Sequence, residues 1–157
     1  MRTRLLFAAL CTIPFGCVAA DAPLALQVLV SFALPDSTLQ RLAGDAARLQ
    51  LPLTVRGLHR GSMAATAERG AALLKAAPGA SITIDPQPFR RHGIERVPAF
   101  VLAGPAEDCA QQCTAQPTAL AIGDVTLAYA LRRMASARDP HVAAAARQYL
   151  QRLGEKQ

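Results

Sequence analysis

Tryptophan is absent, aromatic residues make up 4% of the chain, and only four cysteines occur among 157 residues. So few rings argue against a base-stacking surface, because single-strand binders interleave aromatics with their basic residues. No Cys-x-x-Cys spacing occurs, so the usual dithiol of a redox enzyme is missing. His59, His92 and His141 have no second ligand-type residue at helical i, i+4 spacing, and a zinc site is not expected. Walker-type glycine-rich loops, serine-nucleophile motifs and EF-hand loops are missing as well. No apolar run reaches the roughly 20 residues that a membrane span requires.

The beginning of the chain reads as an address. Arg2 and Arg4 form a basic start, Leu5 to Phe15 is apolar, and Val18-Ala19-Ala20 ends in small residues. That order is expected of a secretory signal peptide over residues 1–20, cleaved after Ala20, so the product is expected to be exported. An acylated Cys17 is the weaker alternative, because Pro14 and Phe15 fit a lipobox poorly. Residues 21–157 then form one domain of 137 residues, enough for a real core. The net charge falls from +6 to +4, since Arg2 and Arg4 leave and no acid does. The remaining arginines are scattered, with only Arg90-Arg91 and Arg132-Arg133 adjacent, as on a solvated basic surface.

Cleavage also removes Cys11 and Cys17. Cys109 and Cys113 remain, and two cysteines in an exported chain are expected to be bonded. The ring they close is very small, so the bond would fix a local turn more than the whole fold. An exposed small-ring disulfide that is easily reduced stays open as a second reading.

Strand and helix patterns alternate along the rest. Leu26 to Phe32 reads as a buried strand, and Pro35-Asp36-Ser37-Thr38 as a helix start with Asp36 as N-cap. Leu39, Leu42, Ala43, Ala46 and Leu49 form one apolar stripe. Pro52 to Leu58 is a second strand, parallel to the first because a helix crosses between them. Gly61-Ser62 opens a helix whose expected inner face is Met63, Ala67, Ala71 and Leu74. Ser81 to Asp85 is extended, and Pro86 to His92 supplies a short helix that stops at Gly93. Ala99 to Leu102 and Thr118 to Ile122 form a hairpin whose long loop holds both remaining cysteines. Gly123-Asp124 and Asp139-Pro140 are the expected caps of two final helices.

The segment His92 to Phe100, with Val97-Pro98 leading into a strand, resembles the proline corner of a thioredoxin fold. In that fold the proline peptide is cis and faces the redox dithiol. Here the four dithiol positions are Ala33-Leu34-Pro35-Asp36, which carry no sulfur. Cys109 and Cys113 lie past a strand that travels about 16 Å from the corner, so they are expected at the opposite pole. A periplasmic thiol-disulfide oxidoreductase or isomerase using these two cysteines is kept as the alternative to a structural bond.

Four stretches, in this order and spacing, resemble the TrbC family of F-type conjugative transfer (type IV secretion) systems. They are Val30 to Ser37, Pro52 to Leu58, Ile84 to Val101, and Gly123 to Leu131. The resemblance implies an α/β thioredoxin-like fold, a mixed central sheet flanked by helices, here with an extra C-terminal helix. It implies a non-enzymatic role in pilus assembly, without cofactor, nucleic acid or small-molecule substrate. It also implies a TraW-type periplasmic partner and other secretion-machine components. A proline corner without its dithiol can still hold an extended chain, and the surface expected to bind the partner comprises Phe32, Ala33, Leu34 and Pro35 together with Arg96, Val97 and Pro98; mere packing of the domain is the equal alternative.

Overall fold

The computed structural model describes residues 23–104 and 118–154. The expected leader, Cys109 and Cys113 lie outside the described residues. Among those described, no helix is long and apolar enough to cross a membrane.

Five strands make one mixed sheet in the order β3-β2-β1-β4-β5. The strands are β1 (Ala25–Val30), β2 (Pro52–Val55), β3 (Ser81–Ile84), β4 (Ala99–Ala103) and β5 (Thr118–Ile122). Helices α1 (Asp36–Arg48), α2 (Met63–Ala76), α3 (Gln87–Arg91), α4 (Leu127–Ala135) and α5 (Pro140–Leu153) flank it. β1, β2 and β3 run parallel, and the helices α1 and α2 supply the crossovers that parallel neighbours need. β4 lies antiparallel to β1, and β5 returns antiparallel to β4 as the second arm of a hairpin.

The two faces of the sheet carry unequal loads. Leu26, Val28, Val30, Leu53, Val55, Phe100 and Leu102 face a large core shared with α1, α4 and α5 and the inner edge of α2. Alternation sends Leu29, Ala99, Val101 and Ala103 to the other face, where they meet Phe89 of α3 and Ile94. Tyr149 joins α5 to the beginning of β1, its hydroxyl accepting from the Leu26 N–H at 3.2 Å. Arg152 donates to the Leu49 carbonyl at 2.8 Å, satisfying an acceptor at the end of α1.

Sequence patterning places most helices with the correct face inward, and α2 is the exception. Met63 is 64% and Leu74 40% exposed, with Ala67 and Ala71 also outside. The inner line is instead Thr66, Gly70, Leu73 and, just past the helix end, Ala77. A buried threonine is tolerated because its hydroxyl donates to the Ser62 carbonyl at 2.6 Å and accepts from the His59 N–H at 2.8 Å. Once that polar group has partners, the smaller residues face the sheet, and hydrophobicity alone misassigns the face.

Two caps also differ from expectation. Asp36 is the first residue of α1, Pro35 holds the cap position, and no side-chain cap bond forms there. The Asp36 carboxylate is ion-paired with Arg69 of α2. Thr126, not Asp124, caps α4 by accepting from the Tyr129 N–H at 3.1 Å, and Asp124 pairs with Arg41 at 3.1 Å. Ser62 and Asp139 cap α2 and α5 as their positions predict.

A methyl group placed on Gly70 would sit 3.7 Å from the Ile82 Cδ1, an ordinary contact distance. Gly70→Ala is therefore expected to stabilise the chain by roughly 0.5–1 kcal/mol through helix propensity. The readout is a higher urea midpoint at unchanged slope; a lower midpoint would show that α2 has no room above Ile82.

Candidate functional site

The chain leaves β1 and β2 at the same end of the sheet, because the two strands are parallel and Val30 is in register with Val55. It enters β4 at that same end, because β4 is antiparallel to β1 and Leu29 is in register with Ala99. Three loops thus converge: 31–35, 56–62 and 94–98.

The first loop is a turn held by its own groups. The Ser31 Oγ accepts from the Ala33 N–H at 3.2 Å, and the Leu34 N–H donates to the Ser31 carbonyl at 3.1 Å. Phe32 turns inward and is buried in the large core, Leu34 packs against that core from its rim, and Ala33 and Pro35 stay exposed. The Phe32 ring meets His59 edge-on, with centroids 6.0 Å apart and planes at 72°.

His59 belongs to the second loop, and the two loops enclose a groove of about 340 Å³. Ser31, Phe32 and Ala33 line one wall, and Val55 to Arg60 line the other. Arg60 adopts a left-handed conformation, φ 51° and ψ 27°, uncommon for a residue with a side chain. Among the described residues no carboxylate lines the groove, and of its two arginines Arg60 alone is uncommitted, because the Arg56 guanidinium is held by Ile94 and Phe89. Burying an unpaired guanidinium is costly, so a polypeptide entering here is favoured if it brings an acid to Arg60 and apolar groups to the floor.

The third loop is fastened across the sheet. The Arg56 guanidinium donates to the Ile94 carbonyl and lies over the Phe89 ring, 4.9 Å from its centroid. The Val97-Pro98 peptide is cis. Pro98 is buried, Val97 is half-buried, and Arg96 is exposed. Val97 packs with Leu29, Phe89 and Ile94 on the face opposite the Phe32 cluster. The structure therefore brings the two halves of the expected corner to one end of the sheet, with Phe32 and Val97 on different faces.

The second wall, Arg56 to Arg60, is the part that sequence reasoning did not single out. Arg56, Gly57 and Leu58 read there as the continuation of a strand, whereas β2 stops at Val55. Gly57, one residue beyond the β-branched pair Thr54-Val55 and its following Arg56, was the available signal, since glycine weakens a strand interior. Among the described residues no group of His, Cys, Asp and Glu could hold a metal ion.

Residues 28–134 match the family described as type-F conjugative transfer system pilin assembly protein. The chain is 36% identical over 73 residues to the periplasmic protein TrbC of Escherichia coli (strain K12). That match covers 46% of this chain and 34% of the relative, so the chain spans about a third of that protein's length. No solved structure matches at a significant level.

One titratable group near the third loop has a displaced equilibrium. Burial first, and the neighbouring Arg91 charge second, hold the His92 imidazole below its ordinary range. The unfolded chain then takes up its proton first as pH falls. The stability involved is complete above about pH 6.5 and is lost as pH falls through the lowered folded value. His92→Gln is expected to flatten part of the fall in melting temperature between pH 7 and pH 5. Identical profiles for both proteins would show that His92 does not contribute.

Proposed function

The chain belongs to the type-F conjugative transfer system pilin assembly family, and on that premise we propose that it is a non-enzymatic component of pilus assembly that holds a partner's polypeptide. Its address is the periplasm: the Escherichia coli relative is periplasmic by description, and residues 1–20 have the basic, apolar, small-residue order of an exported leader. We read the fold as thioredoxin-like with one added C-terminal helix. The element order and the mixed sheet, β1-α1-β2 joined to the β4-β5 hairpin and α4, support that reading.

The groove beside β1 carries the proposal. A thioredoxin-type dithiol would lie at Ala33-Leu34-Pro35-Asp36, and Asp36 is committed to Arg69. What remains is an exposed Ala33, an apolar floor at Phe32 and a cationic group at Arg60, Arg56 being held on the opposite face by Ile94 and Phe89. These features suit an extended segment with apolar and acidic residues, bound partly through main-chain groups. The partner is a TraW-type periplasmic protein of the same transfer system, and Arg96, Val97 and Pro98 border its path at the end of the sheet. Cys109 and Cys113 have no part in it.

Ala33→Glu places a carboxylate over the groove at an exposed position and tests the reading directly. Binding to the TraW-type partner, measured by calorimetry on residues 21–157, is expected to weaken at least tenfold. Thermal stability should change little, since exposed substitutions commonly stay within about 0.5 kcal/mol. Unchanged binding would move the interface away from this groove. In an insulin-reduction assay the same protein is expected to match the uncatalysed rate; activity abolished by Cys109→Ser would restore the oxidoreductase reading.

A further inference from the structure

We propose that the outer edge of β5, two strands away from the groove beside β1, accepts an added β-strand from a partner segment that carries a carboxylate. β5 is the last strand on its side of the sheet and pairs only with β4 among the described strands. Natural edge strands are commonly guarded by charge, proline or a bulge. β5, Thr118-Ala119-Leu120-Ala121-Ile122, has none of the first two, and its register with β4 runs without interruption.

The register identifies which main-chain groups are free. The Gly123 N–H donates to the Pro98 carbonyl at 3.0 Å, so positions 98 and 123 form a hydrogen-bonded pair. Antiparallel pairs alternate, which makes Phe100 with Ala121 and Leu102 with Ala119 the next bonded pairs. Leu120 and Ile122 therefore aim their N–H and C=O groups away from β4. These are also the exposed apolar side chains of the strand, 45% and 40% accessible.

A groove of about 350 Å³ runs along this edge. Ala119, Leu120, Ala121 and Ile122 all line it, and since consecutive side chains alternate between faces, the groove follows the backbone itself. Its far wall is α4, which presents Tyr129, 51% exposed, and Arg133 one turn later. Among the described residues Arg133 has no carboxylate partner. A strand laid beside β5 would bond Leu120 and Ile122 on one side. On the α4 side it would bring one residue to Tyr129 and Arg133, and an acidic residue there completes the pairing. A second copy of β5 fits less well, because that strand offers no acid and doubles the Arg133 charge.

Two labelled heptapeptides of alternating valine and threonine, one with a central glutamate and one with a central lysine, serve as probes for residues 21–157. Fluorescence anisotropy is expected to show the glutamate peptide binding at least tenfold more tightly than the lysine peptide. Leu120→Pro removes one outward N–H at an edge position that tolerates proline, and should weaken binding at least tenfold. Arg133→Glu, at an exposed helix site, should reverse the preference between the peptides, which a folding defect would not do. In the free chain the Leu120 and Ile122 amides should exchange quickly with deuterium and become protected when the peptide binds. Amides already protected in the free chain would mean that this chain or a second copy covers the edge, and would overturn the proposal. Binding of neither peptide, or binding indifferent to Leu120→Pro, overturns it too. Both outcomes leave the Ala33→Glu experiment unaffected, because that groove lies between β1 and β2.

Discussion

β1 is paired on both sides and buried on both faces, and the rest of the molecule is arranged around that condition. Val28 and Val30 point into the large core while Leu29 points to the opposite face, all three with almost no accessible surface. A strand so placed has no solvent to satisfy its backbone, so every N–H and C=O needs a ladder partner. β2 supplies one ladder in parallel and β4 the other antiparallel. Filling both faces of one short strand recruits α1 and α5 on one side and α3 with Ile94 on the other. A cavity at Val28 would loosen the layer of α1 and α5, and one at Leu29 the layer of α3 and Ile94.

That arrangement also explains why the loops at one end of the sheet can serve as a binding surface. Parallel β1 and β2 release their chains side by side, and the antiparallel β4 begins next to them. Each loop is pinned by local chemistry: Ser31 closes the first, Thr66 holds His59 in the second, and Arg56 ties the third to β2. A surface made of pinned loops loses little conformational entropy on binding. Asp36, Asp45 and Asp124 are each held by an arginine of the same chain. Among the described residues no carboxylate pairs with Arg60 or Arg133.

Much of the fold is legible in the sequence because its signals are local and agree with one another. The apolar run at Leu26, the stripe at Leu39 to Leu49, and the caps at Ser62 and Asp139 each report a nearby backbone requirement. The α2 face is not legible, because Thr66 and Gly70 look polar or neutral until the partners of the Thr66 hydroxyl are known. Asp36 and Asp124 mislead for a related reason. Both sit where a cap is expected, but long-range arginines claim their carboxylates.

The candidate site divides along the same line. The sequence by itself determined that one end of the chain's first strand carries Ala33 to Asp36 with no sulfur, and that Val97-Pro98 leads into a later strand. Those are properties of residue type and order. Only the tertiary structure decided that Phe32 and Val97 fall on opposite faces, that Arg56 to Arg60 form the second wall, and that Leu120 and Ile122 face outward. The reason is physical: face and exposure are set by strand register and by which neighbours fill the space, and both are fixed by contacts between residues far apart in the chain.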